Sequence, residues 1–168
     1  MKKSSCLRSA LLGVILAATF SAFAQLSPPE QKLADAVKAR SSAAMSLLEK
    51  AVNINSGTLN LRGVREVGKL FRAELDALGF DTRWVEMPTT MQRAGHLIGT
   101  RAAKSGNPGK RLLLLGHLDT VFESDSTVQL WAPKEGRIFG QGVSDMKGGN
   151  VVMLEALREQ VMTSPKVL

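Results

Sequence analysis

An α/β sandwich is the fold class that the sequence predicts, and three features predict it. Four consecutive leucines, Leu112–Leu115, are typical of a strand that is buried on both faces of a sheet. Two amphipathic helical patterns precede this run and another follows it. The resulting order of helix, helix, three strands, loop and helix is typical of helices packed against a sheet.

The first 24 residues are predicted to be a secretory signal peptide. A positively charged start is followed by an apolar stretch, Ala10–Phe20, and by a small-residue cleavage site, Ala22–Ala24. The apolar stretch is shorter than the ~20 residues that span a bilayer. We therefore expect cleavage after Ala24, a periplasmic or secreted protein, and no membrane partner afterwards. The one cysteine, Cys6, lies in this leader, so the mature residues 25–168 contain none for a disulfide.

The charge balance disfavours a nucleic-acid partner. Without the leader cations Lys2, Lys3 and Arg8, the 22 Lys and Arg fall to 19 against 15 Asp and Glu, so the formal charge of +7 becomes about +4. These basic residues are scattered, and aromatic residues make up only 5% of the chain. Nucleic-acid surfaces instead cluster their basic residues, but a mildly basic surface still suits an anionic substrate.

Two helices open the mature chain. The first is predicted from Ser27-Pro28-Pro29-Glu30, where a capping residue precedes prolines suited to a first turn, to about Ala51. The second spans Leu61–Leu78, and Gly79 follows where a left-handed cap is expected. Apolar residues recur at steps of three and four in both helices, so each stripe is expected to face the core.

The remaining elements follow from changes in hydrophobic period and from turn residues. The predicted strands are Phe80–Met87, His96–Arg101 and Arg111–Gly116, and a turn at Ser105–Gly109 precedes the last of these. A short strand-turn-strand is expected at Trp131–Phe139, and a closing helix at Gly148–Met162.

Two polar residues, His117 and Asp119, follow the leucine-rich strand. Side chains alternate across a strand, so this pair is expected on one side and close together. A neutral imidazole is a good zinc ligand, and its second nitrogen commonly donates to a carboxylate. A surface histidine beside a turn-forming aspartate would have the same sequence, so the pair alone does not distinguish a zinc ligand from a surface residue.

A second polar cluster surrounds Asp145. Gly140 and Gly142 permit positive φ angles ahead of it, and Gly148 and Gly149 permit close packing at a helix start. Asp145 is thus predicted on a constrained loop, where a carboxylate can bridge two divalent cations. A dinucleotide-binding loop is disfavoured because the third glycine and a long preceding apolar strand are absent. A plain turn capped by aspartate remains an alternative.

Together, Gly116–Val121 and Gly140–Gly149 resemble the paired motifs of the zinc aminoacylase and carboxypeptidase family. The sequence of Ala51–Gly57 is most similar to that of the family's secreted glutamate carboxypeptidases, and the resemblance covers nearly all of the mature chain. It implies a three-layer α/β sandwich of the zinc-exopeptidase type. Residues 25–168 would form the N-terminal part of the catalytic domain in such an enzyme, so the sandwich would be incomplete.

The resemblance also implies roles for individual residues. His117 would ligate one of two zinc ions, and Asp145 would bridge both. Asp119 would be a catalytic residue that orients His117 and tunes the metal. The peptide bond after Asp145 would be cis. Lys147 is not a ligand in the family, and His96 matches none of its ligands.

The family's other site residues are expected beyond Leu168, together with a dimerisation domain that makes full-length relatives homodimers. They are a Glu-Glu pair, a further acidic ligand and a final histidine. Glu155 and Glu159 do not replace them, because they lie four residues apart on a helix face that is expected to project into solvent.

The expected function is therefore that of an exported dizinc metallopeptidase, present as an N-terminal fragment with little activity of its own. By resemblance, the complete enzyme would release a C-terminal amino acid, glutamate above all, from peptide, folate-like or N-acyl substrates. One alternative is a non-catalytic exported α/β module with weak metal binding. Another is a nucleotide-binding α/β domain, which the glycine pattern disfavours.

Overall fold

The computed structural model describes residues 26–102 and 111–163. The predicted signal peptide and the turn predicted at Ser105–Gly109 lie outside these ranges. Contacts along the chain divide it after Lys32, and the residues of the core and of the candidate site belong to the second unit, Leu33–Leu168. Within the described ranges, no helix combines the length and apolar composition needed to cross a membrane.

The described residues form α-helices and short β-strands in the predicted order, except that no strand forms at 111–116. They are α1 Pro28–Val52, α2 Leu61–Ala77, β1 Asp81–Val85, β2 His96–Thr100, β3 Ala132–Lys134, β4 Arg137–Phe139 and α3 Lys147–Thr163. A single 3-10 turn, Thr89–Met91, lies between β1 and β2. Gly79 has a φ of 77°, as expected for the left-handed cap after α2.

The strands pair as two antiparallel ribbons. β1 pairs with β2 so that Val85 lies opposite His96, and β3 pairs with β4 so that Lys134 lies opposite Arg137. Glu135 and Gly136 form the tight turn of the second ribbon, with φ angles of 51° and 70°. A mixed α/β arrangement is thereby confirmed, while the three-layer sandwich stays a prediction.

The strand predicted at Arg111–Gly116 is wrong for the described residues. Residues 111–119 have no assigned strand partner, and the side chains of Leu112, Leu113 and Leu115 are 79–80% exposed. A run of leucines predicts a strand that is buried on both faces, but a strand also needs neighbouring strands to bond its N–H and C=O groups. No backbone in the described ranges supplies them along 111–116.

The hydrophobic core lies between the second half of α1, the inner face of α2 and the start of α3. Its most buried members are Leu47, Leu48, Ala51, Val52, Val67, Phe71, Leu78, Val151 and Leu154. The first half of α1 differs from the prediction, because Leu33 and Val37 are nearly half exposed although they belong to the same apolar stripe. A helical stripe predicts which face is apolar, but it does not predict how far along the helix a partner extends.

Glu155 and Glu159 do not project into solvent, which corrects the prediction made from their spacing. They are 8% and 3% exposed. Glu155 accepts from Arg40 Nε on α1 at 2.5 Å, and Arg158 Nη2 donates to Glu74 on α2 at 2.6 Å. The hydrogen bond with Glu155 is the main reason that the pKa of Arg40 is raised. Solvated and buried helix faces share the (i, i+4) spacing, so it does not predict that Glu155 is buried against Arg40 of α1.

Replacing Glu155 with glutamine is expected to lower the free energy of unfolding by about 3 kcal/mol, because it leaves two guanidinium groups without their shared carboxylate. Urea denaturation of the purified protein measures this loss. Glu49→Gln, at an exposed position of α1, is the matched control and should change the value by less than about 0.5 kcal/mol. Equal effects of the two substitutions would contradict a stabilising ion network.

Lys147, the first residue of α3, is fully buried. Its Nζ donates to the main-chain oxygen of Ile54 at 2.8 Å, which ties α3 to the connection between α1 and α2. Burial lowers the pKa of Lys147 from 10.5 to about 8, because desolvation disfavours the ammonium form.

The stability of the protein is expected to rise with pH between about 8 and 10.5 through Lys147. In this window the unfolded chain keeps a proton that the folded chain has released, so higher pH favours the folded state, by roughly 3 kcal/mol in total. The difference in unfolding free energy between the natural protein and Lys147→Met, followed from pH 7.5 to 10.5, isolates this contribution from other titrating groups. A difference that does not change with pH would show that Lys147 keeps its ordinary pKa.

Candidate metal centre

The end of the extended segment 111–119 is fixed by the connection between α1 and α2. Thr120 N donates to Ser56 O at 2.8 Å, and Thr58 N donates to Thr120 O at 3.0 Å. These bonds form an isolated parallel bridge between Gly57 and Thr120. The bridge therefore sets the position of the residues just before Thr120, which include His117 and Asp119.

Asp145 lies on a tight glycine loop directly before α3. Gly140 and Gly142 have φ angles of 147° and 71°, as the sequence predicted, and side-chain-bearing residues rarely adopt them. A Cβ on Gly142 would lie 2.8 Å from Thr120 Cγ2, so this loop packs tightly against the bridge. The peptide bond between Asp145 and Met146 is cis, as the family resemblance implied.

The loop and the extended segment bring His117, Asp119 and Asp145 together. His117 Nε2 lies 2.8 Å from Asp145 Oδ1, and His117 Nδ1 lies 2.9 Å from the main-chain oxygen of Asp119. Both ring nitrogens thus face oxygen acceptors, an arrangement that suits the doubly protonated imidazolium. Partial burial lowers the pKa of His117, but the hydrogen bonds to Asp145 and Asp119 outweigh it, and the pKa is raised overall.

The two atoms that meet here, His117 Nε2 and Asp145 Oδ1, are of the kind that zinc binds. Two ligands of one tetrahedral zinc ion lie about 3.4 Å apart, slightly more than the 2.8 Å between His117 Nε2 and Asp145 Oδ1. The separation of these two atoms is thus close to that of two ligands of one zinc ion. The side chain of Asp145 is 86% exposed, so its second carboxylate oxygen is accessible to another ion.

The number of donors is smaller than a catalytic zinc site uses. Such a site has three protein ligands and an open position. Across residues 26–102 and 111–163, no group of three or more His, Cys, Asp and Glu side chains is placed to hold one ion. The described residues thus resemble a zinc site in the kind of donor, and two such donors meet at this point.

Asp119 lies next to Nδ1 of the imidazole ring, whereas Asp145 contacts the other ring nitrogen, Nε2. Its carboxylate Oδ1 is 3.3 Å from His117 Nδ1. Its Oδ2 accepts a hydrogen bond of 2.7 Å from the hydroxyl of Thr58. This geometry suits a residue that orients the ring. Thr58 was missed by sequence reasoning, because a lone threonine 61 positions away carries no signal of this contact.

Several buried polar residues around the centre were also missed. Gln141 is fully buried, and its Oε1 accepts from the main-chain nitrogen of Ser56 at 3.1 Å. Asn150 is 4% exposed, and its Nδ2 donates to the main-chain oxygen of His117 at 2.7 Å. Lys147 and Asn150 did carry a usable signal, since they lie four residues before Val151 and Leu154 on the buried stripe of α3. A polar residue at such a position usually makes a buried hydrogen bond.

The other titratable candidates have contacts elsewhere. His96 is exposed on β2, where its Nε2 lies 3.0 Å from the sulfur of Met87. Glu155 belongs to the ion network with Arg40 and Arg158. These contacts agree with the expectation that neither His96 nor Glu155 is a ligand.

Comparison with known proteins adds evidence that is independent of this geometry. Residues 113–166, which contain His117, Asp119 and Asp145, match the model of peptidase family M20/M25/M40. Carboxypeptidase G2 from Pseudomonas sp. (strain RS-16) is 32% identical over 154 residues, which cover 90% of this chain and 36% of that protein.

Two further relatives match shorter portions. Acetylornithine deacetylase from Proteus mirabilis (strain HI4320) is 35% identical over 89 residues, or 51% of this chain and 22% of that protein. Succinyl-diaminopimelate desuccinylase from Polynucleobacter necessarius subsp. necessarius (strain STIR1) is 27% identical over 131 residues, or 74% of this chain and 33% of that protein. The chain thus spans 22–36% of the length of these relatives. The resemblance seen in the two motifs is confirmed, and the chain belongs to peptidase family M20/M25/M40.

Proposed function

We propose that this chain contributes two ligands to the metal site of an exported dizinc metallopeptidase. The observation that carries the proposal is the convergence of His117 Nε2 and Asp145 Oδ1 at 2.8 Å, from two segments that are 28 residues apart in sequence. Both residues lie in the region that matches the peptidase family. The end of an extended segment and a constrained glycine loop place them there.

In this proposal, each residue of the centre has one task. His117 would be a ligand of one zinc ion, and Asp145 would be a ligand of both. Asp119, held by Thr58, keeps Nδ1 of His117 engaged so that Nε2 faces the metal. Zinc bound there would polarise the scissile carbonyl and make water a better nucleophile near neutral pH.

The groups that transfer protons are proposed to lie outside the described residues.

The proposed reaction is release of a C-terminal amino acid from a peptide, folate-like or N-acyl substrate, with glutamate as the preferred product. Its support is the match to a carboxypeptidase along 90% of this chain, together with the mildly basic balance of the mature residues. The three-layer sandwich and a homodimer are proposed for the complete protein. In that sandwich, further strands would pair with the exposed segment 111–116.

A second candidate is a non-catalytic exported module that binds metal weakly. The observation in its favour is that the described residues supply two donors, fewer than the three that a catalytic zinc site uses. The product of the complete reading frame separates the two candidates. Zinc-dependent release of glutamate from an N-acyl glutamate supports the peptidase, whereas zinc binding without release supports the module.

Zinc is expected to bind this chain, and His117→Ala is expected to weaken binding about tenfold or more, because it removes one of two ligands. Isothermal titration calorimetry at neutral pH measures both affinities. His96→Ala is the matched control, since it removes the exposed histidine of β2 and should leave zinc affinity unchanged. Equal losses for the two histidine variants, or no zinc binding by the natural chain, would argue against the proposed centre.

Little or no hydrolysis is expected from the 168-residue chain itself, because two ligands do not complete the site. Zinc-dependent release of glutamate that disappears in His117→Ala would contradict this expectation.

Export is part of the proposal and rests on the N-terminal pattern of charged, apolar and small residues. Expressed in a bacterium with its own leader, the protein is expected in the periplasm or medium with Gln25 as its first residue, as N-terminal sequencing would show. Ala24→Phe should block cleavage because signal peptidase requires a small residue there, whereas Phe23→Leu should leave it intact. A cytoplasmic product that begins at Met1 would rule out the leader.

A further inference from the structure

Asn150 connects the two segments that carry the proposed ligands. It lies on the first turn of α3, is 4% exposed, and donates through Nδ2 to the main-chain oxygen of His117 at 2.7 Å. Its own main-chain nitrogen donates to Met146 O at 2.8 Å. The helix that begins just after Asp145 therefore holds the backbone of the residue that presents Nε2.

Gly116 provides a second, independent sign of this contact. A Cβ on Gly116 would lie 2.2 Å from Oδ1 of Asn150, well inside van der Waals distance. Oδ1 and Nδ2 belong to one planar amide, so pushing Oδ1 aside also displaces the Nδ2 that holds His117. The absence of a side chain at residue 116 thus leaves room for Asn150 in its observed rotamer.

Within the described ranges, no backbone hydrogen bond links residues 111–119 to the glycine loop 140–147. The hydrogen bond from Asn150 on α3 to the main-chain oxygen of His117 does join them across this gap.

We propose that Asn150 is a positioning residue that sets the separation of His117 Nε2 and Asp145 Oδ1, and that Gly116 is required to accommodate it. This inference deepens the proposed function and rests on it where zinc binding is concerned. It assigns Asn150 no contact with metal or substrate. Its action passes through the main-chain oxygen of His117.

The test is a double-mutant cycle of Gly116→Ala, Asn150→Ala and the two together. Either single substitution is expected to weaken zinc affinity about tenfold to a hundredfold, as loss of a supporting hydrogen bond does. The double variant should bind no more weakly than Asn150→Ala alone, because the added methyl group then meets no amide. Additive losses, or single variants with the affinity of the natural chain, would overturn the proposal.

A second measurement does not need metal. The chain contains two histidines, so their imidazole nitrogens can be followed separately by ¹⁵N NMR at fixed pH. In the metal-free protein, Asn150→Ala should shift the Nε2 signal of His117, which faces Asp145, and leave His96 unchanged. A helix that merely loses stability would not single out one histidine. Unchanged His117 signals in Asn150→Ala would overturn the proposal.

Two controls complete the experiment. Val152→Ala alters a 70% exposed side chain on the same helix and should change neither reading. Asn150→Asp keeps the shape but cannot donate, so it should behave like Asn150→Ala, and natural behaviour in this variant would count against the hydrogen bond. If the natural chain binds no zinc, the proposed metal site fails, while the imidazole signals still decide whether Asn150 positions His117.

Discussion

Two backbone hydrogen bonds, from Thr120 to Ser56 and from Thr58 to Thr120, are the constraint on which the candidate centre depends. The leucine-rich segment before them has no strand partner in the described ranges, so sheet pairing does not fix its course there. The parallel bridge at Gly57 and Thr120 performs that task at one point. Because His117 lies three residues before the bridge, small changes in the connection between α1 and α2 reach the imidazole directly.

Buried polar groups fix the arrangement of the loops around this bridge. Gln141 and Lys147 are fully buried, and each bonds to a main-chain atom of the connection that follows α1. Apolar contacts are tolerant of small slips, whereas a buried amide or ammonium that loses its partner is left with an uncompensated desolvation cost. Such groups therefore specify one arrangement of the loops, although their desolvation lowers the stability of the folded state. The lowered pKa of Lys147 reflects this desolvation.

The helices and ribbons were predictable because their signals are local. The stripe of α2, the cap at Gly79 and the turn at Glu135 and Gly136 are each contained within a few residues. The convergence of His117 and Asp145 was anticipated from two glycine-rich clusters and a family resemblance. Non-local partners were not anticipated: the guanidinium of Arg40 that buries Glu155 comes from 115 positions away. The strand prediction at Arg111–Gly116 was wrong for the same reason, since apolar composition does not predict which backbone pairs with this segment.

The 2.8 Å contact between His117 and Asp145 has a consequence for how an ion would enter. His117 Nε2 faces Asp145 Oδ1, so a metal ion held by both side chains would lie on this side of the imidazole ring. The ring is held on its other side by Asp119 and, through the backbone, by Asn150. Asp145, with a side chain that is 86% exposed, is the freer partner. Widening of the gap from 2.8 Å is therefore expected to come from rotation of the carboxylate, while the imidazole stays where Asp119, Asn150 and the bridge at Thr120 place it.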